Sequence, residues 1–216
     1  MRVFSYTLPA LLLALAVGLS GCIPDSQARS FTENVDYAVI TPPVSTQAEE
    51  GKVEVAEVFW YGCPHCYNLE PTINEYIKTK PDYVTFTRIP AMLDPTWVFH
   101  GKVFYVGRML DPNGSKDVHA KIFEALQKQR RRIGNDDQLR RFYQSLGFKL
   151  DEINNILKSM ELKTKLDYAR DITVKSHLDS VPTIIVNGKY LTSPSMVSGN
   201  KNLIEVINYL SSLEKQ

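Results

Sequence analysis

Two cysteines three positions apart stand where an apolar strand pattern gives way to a helical one. The segment Phe59–Pro71 reads FWYGCPHCYNLEP. Before it, Val53–Trp60 alternates and then becomes wholly apolar, as a strand entering a core does. After Pro64, apolar residues recur at intervals of three and four up to about Thr79, and a proline suits the first turn of a helix because its missing N–H costs nothing there. The pattern predicts a strand followed by a helix whose first turn holds Cys63.

The flanking patterns predict a small mixed sheet. A short strand is expected at Tyr37–Ile40, and Tyr83–Ile89 reads as a second strand beside Val53–Trp60. Strand character returns at Val181–Leu191, where an Asn-Gly pair between apolar runs indicates a hairpin, and a last helix is expected at about Asn200–Leu213.

The stretch of about ninety residues between the second strand and the hairpin has no strand pattern. Helical spacing and turn residues predict four helices there, at Trp97–Leu110, Ser115–Gln129, Asp136–Leu146 and Asp151–Ser176. The order of elements predicts an α/β chain with a thioredoxin-like fold and an inserted all-helical subdomain. We assign 36–93 and 178–216 to the thioredoxin-like domain and 94–177 to the insertion.

The N-terminus has the features of an export signal. Arg2 is followed by an apolar run, Leu8–Leu19, that is too short for a membrane-spanning helix. The Leu-Ser-Gly-Cys that ends at Cys22 resembles a bacterial lipobox, in which that cysteine becomes the acylated first residue. We expect a lipoprotein signal peptide at 1–21 and a tether at 22–35. An ordinary cleaved signal is the alternative.

The chain has 25 basic and 24 acidic residues, and this near neutrality gives no reason to expect a nucleic-acid partner.

The position of Cys63 favours thiol chemistry. Unpaired N–H groups and the helix dipole stabilise negative charge at the first turn of a helix, and they lower the pKa of a thiol there. Cys66 lies one turn further on the same face and is expected to be more enclosed, so Cys63 should be the attacked sulfur and Cys66 the resolving one. His65 can stabilise the Cys63 thiolate. A stabilised dithiol form makes the pair an oxidant.

Other interpretations of the pair remain open. Half of a structural zinc site would look the same, although no second pair of Cys or His ligands follows at zinc spacing. A structural disulfide in a lipid-anchored binding or adhesion module is a further alternative. We expect no metal, and no cofactor apart from a Cys63–Cys66 disulfide.

Two distant features could belong to the same site. Pro182 enters an apolar strand after Val181 and is either a cis proline set against another element or an ordinary trans proline. Glu57 is either a buried carboxylate that moves the proton of Cys66 or an outward-facing strand residue. The remaining histidines, His100, His119 and His177, show no ligand spacing and are expected to be surface residues or satisfied core residues.

Taken together, these residues resemble the DsbA family of periplasmic thiol:disulfide oxidoreductases over about residues 36–214. The features that carry the resemblance are Cys-Pro-His-Cys followed by Tyr67, Glu57 six positions before the motif, and Val181-Pro182 ahead of Val-Asn-Gly-Lys-Tyr. The resemblance implies that Pro182 is cis and touches the active-site disulfide, and that Val181 binds substrate backbone.

The resemblance also implies the partners. These are unfolded exported proteins with cysteines, and a DsbB-type quinone-linked membrane oxidase that recharges the enzyme. With Cys22 acylated, the chain would belong to a lipoprotein branch on the periplasmic side of a bacterial membrane. A disulfide isomerase or a reductant of the same fold is the rival within the enzyme class.

Overall fold

The computed structural model describes Met1 and residues 30–215. The chain from Phe31 onward forms one compact unit, and the preceding unit, Met1–Ser30, is described only at its two end residues. The expected signal peptide and Cys22 therefore lie outside the described residues. In the described part of the chain, no helix is both long and apolar enough to cross a membrane.

Five strands form one mixed sheet in the order β1-β5-β4-β2-β3. The strands are β1 Ala38–Val39, β2 Val53–Phe59, β3 Val84–Pro90, β4 Thr183–Val186 and β5 Tyr190–Thr192. The pair β2/β3 is parallel, whereas β4 is antiparallel to both β2 and β5. This arrangement confirms the predicted α/β class with a thioredoxin-like sheet.

Seven α-helices accompany the sheet in the described residues. They are α1 Pro64–Thr79, α2 Pro95–Leu110, α3 Val118–Phe123, α4 Asp136–Ser145, α5 Leu150–Leu157, α6 Met160–Lys175 and α7 Asn200–Leu213. Helix α1 joins the parallel pair β2/β3, and α2 to α6 lie between β3 and β4 in the chain. The inserted helical block of the predicted fold is therefore present.

Two of the predicted helices differ from the structure. The expected helix Asp151–Ser176 is divided into α5 and α6, because the Ser159 hydroxyl accepts a hydrogen bond from the Leu162 N–H at 3.1 Å and starts a new helix. The expected helix Ser115–Gln129 begins three residues late, at Val118, and its last turn, Glu124–Lys128, is π-helical.

The two faces of the sheet have separate hydrophobic cores. Ile184 and Val186 of β4 belong to a cluster that includes residues of α1 and α7, whereas Ile185 between them belongs to a cluster filled by the inserted helices. Both cysteines lie in the second of these clusters. The compact unit begins inside the range 22–35 suggested as a tether, because Phe31 is buried and its ring lies 5.3 Å from that of Tyr209.

Candidate active site

Cys63 lies between the end of the central strand β2 and the start of α1. It is the N-cap residue of that helix, with Pro64 in the first turn, as predicted. Its sulfur accepts a hydrogen bond from the Cys66 N–H at 3.4 Å, and its thiol donates to the carbonyl oxygen of Val181 at 3.5 Å. Both cysteines are free, so this is the geometry of the dithiol form.

The two thiols have opposite electrostatic environments. A hydrogen bond from the Cys66 thiol lowers the pKa of Cys63 to about 6, against the effect of burial, and the backbone N–H groups of Cys66 and His65 and the charge of His65 add to this. Cys66 has no exposed surface, and burial raises its pKa far above that of an ordinary thiol. A thiolate therefore forms at Cys63, and Cys66 keeps its proton.

Val181 and Pro182 reach the cysteines from the start of β4. The Val181–Pro182 peptide bond is cis, in agreement with the resemblance. His65, Val181 and Pro182 line one cleft of about 450 Å³, together with Asn68, Leu69, Ser180, Pro194, Ser195 and Asn200. Val181, whose carbonyl oxygen lies 3.5 Å from the Cys63 sulfur, places this cleft beside the motif.

Glu57 is a buried carboxylate, not an outward-facing strand residue. It pairs with Arg88 across the parallel strands, and its Oε2 accepts a hydrogen bond from Arg88 Nε at 3.1 Å. Its other oxygen, Oε1, is buried without a hydrogen-bond partner. Burial raises the pKa of Glu57 to about 7, and the nearby Glu70 adds to the rise, although Arg88 opposes it. A proton can therefore rest on this carboxyl near neutral pH.

Three further titratable residues join Glu57 in a cluster that the sequence interpretation missed. Arg88 Nη2 donates to Glu70 Oε2 at 3.2 Å, and His119 Nε2 lies 3.1 Å from Glu70 Oε1. We call Glu57, Glu70, Arg88 and His119 the charge cluster. His119 also meets the Tyr61 hydroxyl through Nδ1 at 2.8 Å, so it is a hydrogen-bonded histidine of the interior and joins the inserted helices to the segment before Cys63.

The other two histidines lie outside this cluster. His177 is exposed, as one of the two expectations had it. His100 is buried, but its Nδ1 has no hydrogen-bond partner, so the expectation of a satisfied core histidine is wrong for His100. Within the described residues, no group of three or more His, Cys, Asp or Glu side chains is placed to hold a metal ion.

Trp60 and Gly62 shape the segment that leads into the motif. The Trp60 ring stacks on Trp97 with centroids 4.4 Å apart and an interplanar angle of 6°. A methyl group on Gly62 would lie 2.2 Å from the Trp60 ring. Glycine is therefore required for this indole to fold back over the backbone next to Cys63.

Substitution Gly62→Ala should destabilise the protein by about 1–3 kcal/mol, the usual cost of forcing an extra methyl group into a packed site. The denaturant midpoint measures this loss. Gly134→Ala is the matched control, because the nearest atom to its added methyl group would be 3.8 Å away. If both variants unfold at the native midpoint, the Trp60 ring moves freely and is not fixed by its stack.

Comparisons with known proteins point to one family. A family model described as a DSBA-like thioredoxin domain matches residues 103–211. The thiol:disulfide interchange protein DsbA of Pseudomonas syringae pathovar tomato is 35% identical over 207 residues, which cover 95% of this chain and 93% of that protein. DsbA of Pseudomonas aeruginosa is 31% identical over 191 residues, 88% of this chain and 89% of that protein.

A solved structure agrees with these relatives. The crystal structure of Pseudomonas aeruginosa DsbA matches with a TM-score of 0.78 at 31% identity, and the match covers 85% of this chain and 94% of that one. The likeness therefore extends over nearly the whole of both chains.

Proposed function

The chain belongs to the DsbA family of thiol:disulfide oxidoreductases and is a protein disulfide oxidase, and from this premise we propose that Cys63 and Cys66 carry the disulfide that it donates. A substrate thiolate attacks Cys63, so that a substrate–Cys63 bond forms as the Cys63–Cys66 bond breaks and Cys66 gains the electron pair. The second substrate thiolate then attacks the substrate sulfur and releases Cys63 as thiolate. The substrate leaves oxidised, and the enzyme has gained two electrons.

The observation that carries this proposal is the inequality of the two thiols. Cys63, with its pKa lowered to about 6, is a good leaving group. Cys66, with its pKa raised by complete burial, takes up a proton as soon as its bond to Cys63 breaks. The first effect stabilises the dithiol product, and stabilisation of the dithiol form makes the disulfide form oxidising. The pair needs no further cofactor.

Neighbouring residues have supporting roles in this scheme. His65 and the first turn of α1 stabilise the Cys63 thiolate, and Pro64 preorganises that turn. Val181 and Pro182 hold an extended substrate segment beside Cys63. Glu57 gives its proton to Cys66 and later takes it back. Support for the last role is the complete burial of Glu57 and its pKa of about 7.

The redox equilibrium with glutathione tests the direction of the reaction. We expect a reduction potential well above the roughly −270 mV of thioredoxin, because the Cys63 thiolate stabilises the dithiol form. The measurement is the fraction of dithiol protein at a series of glutathione ratios. A potential equal to that of thioredoxin would support the rival reductant and reject the oxidase scheme.

The dithiol product must be oxidised again before a second turnover. We assign this step to a DsbB-type quinone-linked membrane oxidase, on the periplasmic side of a bacterial membrane, where unfolded exported proteins with cysteines are the substrates. Membranes that contain such an oxidase should convert the dithiol protein to the disulfide, and membranes without it should not. If both kinds of membrane oxidised the dithiol protein equally, the assignment of this partner would be wrong.

The lipobox-like segment supports a lipid anchor at Cys22. In that case the full chain sediments with membranes, and the Cys22→Ser variant appears in the soluble periplasmic fraction with its disulfide-donating activity unchanged. If both proteins are found in the soluble fraction, the segment is an ordinary cleaved signal.

A further inference from the structure

The charge cluster contains two acids and one permanently charged base in a buried site. The side chains of Glu57, Glu70 and Arg88 are 0%, 10% and 17% exposed. Because an arginine does not lose its proton in proteins, two ionised glutamates and a neutral His119 would leave one negative charge without compensation. Such a charge is costly in a buried site, so the cluster is expected to bind one proton near neutral pH.

The two glutamates do not compete equally for that proton. Glu70 accepts hydrogen bonds on both oxygens, from His119 on Oε1 and from Arg88 and Asn74 on Oε2. Glu57 accepts only one, from Arg88, and its Oε1 has none. Hydrogen bonds to a carboxylate favour its ionised form. Burial raises the pKa of Glu70, but the His119 and Asn74 hydrogen bonds and the charge of Arg88 act against it, and the pKa lies below the ordinary value.

The contacts of His119 fix its tautomer. Burial lowers the pKa of His119, and the charges of Arg88 and Arg108 act in the same direction. The hydrogen bond and the charge interaction with Glu70 raise it, but the pKa stays below the ordinary value and the ring is neutral near pH 7. A neutral ring has one donor and one acceptor nitrogen, and an ionised carboxylate can only accept. Nε2 therefore donates to Glu70, and Nδ1 accepts from the Tyr61 hydroxyl.

We propose that His119 is a positioning residue that keeps Glu70 ionised and thereby leaves the proton of the charge cluster on Glu57, where Cys66 can receive it. The inference rests on the role proposed above for Glu57 and extends it to a residue of the inserted helices. The titratable and charged groups around His119 are Tyr61 before α1, Glu70 and Lys78 in α1, Arg88 in β3, Arg108 and Asp111 near the end of α2, and Asp117 at the start of α3.

In the reaction, the proton moves once for each disulfide donated. As the substrate sulfur bonds to Cys63 and the Cys63–Cys66 bond breaks, the electron pair goes to the Cys66 sulfur and the Glu57 proton follows it. Glu57 becomes a carboxylate that is paired with Arg88. Without the His119 donor, Glu70 would take a share of the proton, and Glu57 would be ionised over more of the pH range.

The test compares His119→Leu, which lacks the donor, with His119→Gln, which keeps a donor amide. Carbon NMR of labelled glutamate carboxyls, with the Glu57 signal assigned by Glu57→Gln, gives the titration of Glu57 in the dithiol protein. We expect a midpoint near pH 7 in the native chain. In His119→Leu the Glu70 midpoint should rise by about one to two pH units, the equivalent of one hydrogen bond to a charged group, and the Glu57 midpoint should fall. In His119→Gln both midpoints should stay close to their native values.

Tyr61→Phe is the matched control, because it removes the contact at Nδ1 and leaves the Glu70 bond in place, so Glu57 should titrate as in the native chain. An unchanged Glu57 midpoint in His119→Leu, or an equal fall in His119→Gln, would overturn the proposal. Nitrogen NMR of the native rings gives a test that needs no variant. His119 should remain neutral with a proton on Nε2 around pH 7, and an imidazolium there would also overturn the proposal.

Disulfide donation separates this proposal from the one on which it rests. His119→Leu retains both cysteines and should still oxidise a substrate. As the pH rises, its rate of disulfide donation should begin to fall at a lower pH than that of the native chain, because Glu57 loses its proton earlier. If the native chain donates disulfides but the Glu57 midpoint is the same in the native chain and in His119→Leu, the positioning role alone is rejected. A chain whose donation does not require Cys63 would reject the proposed function itself.

Discussion

Replacement of either Cys63 or Cys66 by serine should reduce disulfide donation to the uncatalysed rate, because neither variant can form the Cys63–Cys66 disulfide, and only the Cys66→Ser variant should be trapped in a covalent complex with a substrate. Cys63 is the sulfur at the helix start and beside the cleft, with Val181 at 3.5 Å. Cys66 is sealed in the core and has no exposed surface. Only Cys63 can meet a substrate, and only Cys66 can release it again by attack from within the enzyme.

Disulfide donation is measured on a reduced, unfolded substrate with two cysteines. Complex formation is measured on an unfolded substrate with one cysteine held as a mixed disulfide with glutathione, so that attack by Cys63 on the substrate sulfur forms the complex and releases glutathione. Substrate oxidation is followed by loss of free thiols, and mixed disulfides are seen by electrophoresis without reductant. The double variant Cys63→Ser/Cys66→Ser is the control and should form no complex. Activity that survives in Cys63→Ser, or complexes that accumulate through Cys66, would reject the assignment of the two roles.

The second large effect concerns the stability of the fold. Arg88→Met should destabilise the protein by about 3–5 kcal/mol, because it leaves Glu57 and Glu70 buried without their cation. The denaturant midpoint measures the loss. Lys163→Met is the control, since Lys163 and its partner Asp167 are 64% and 52% exposed, and such surface pairs contribute only about 0–1 kcal/mol.

The loss in Arg88→Met should depend on pH with a definite sign. The pKa of Glu57 is about 7 in the folded chain, above its ordinary value of 4.5, so the folded state holds a proton that the unfolded state releases between these values. Stability therefore falls as pH rises from about 4.5 through 7. Removal of Arg88 raises the carboxyl pKa further and steepens this fall. A variant that loses nothing at neutral pH would show that the two acids do not depend on Arg88.

The catalytic motif and its setting could be predicted because they are local in sequence. A strand that becomes wholly apolar, a proline just after Cys63 and helical spacing after it place the thiol at a helix start without any tertiary information. The break between α5 and α6 also has a local signal, a serine at 159 followed by an acid in the first turn. The prediction of one long helix at Asp151–Ser176 did not take account of this N-cap at Ser159.

The charge cluster could not be predicted in the same way. Glu57 and Arg88 meet through the register of the parallel strands β2 and β3, and a parallel register is fixed by the packing of the crossover helix and not by a local turn. His119 reaches Glu70 only because the inserted helices pack on the active-site face. These contacts join residues 18 to 58 positions apart, and no spacing pattern in the sequence carries them.

The central claim is that the Cys63 sulfur is a stabilised thiolate in the dithiol protein. The ultraviolet absorbance of the thiolate, followed from acid to alkaline pH with the disulfide form as blank, measures this directly. Because Cys66 keeps its proton, the account predicts a single titration with a midpoint near pH 6. A midpoint near that of free cysteine, about 8.5, would contradict it. The dithiol form would then lack the stabilised thiolate that makes the disulfide form oxidising.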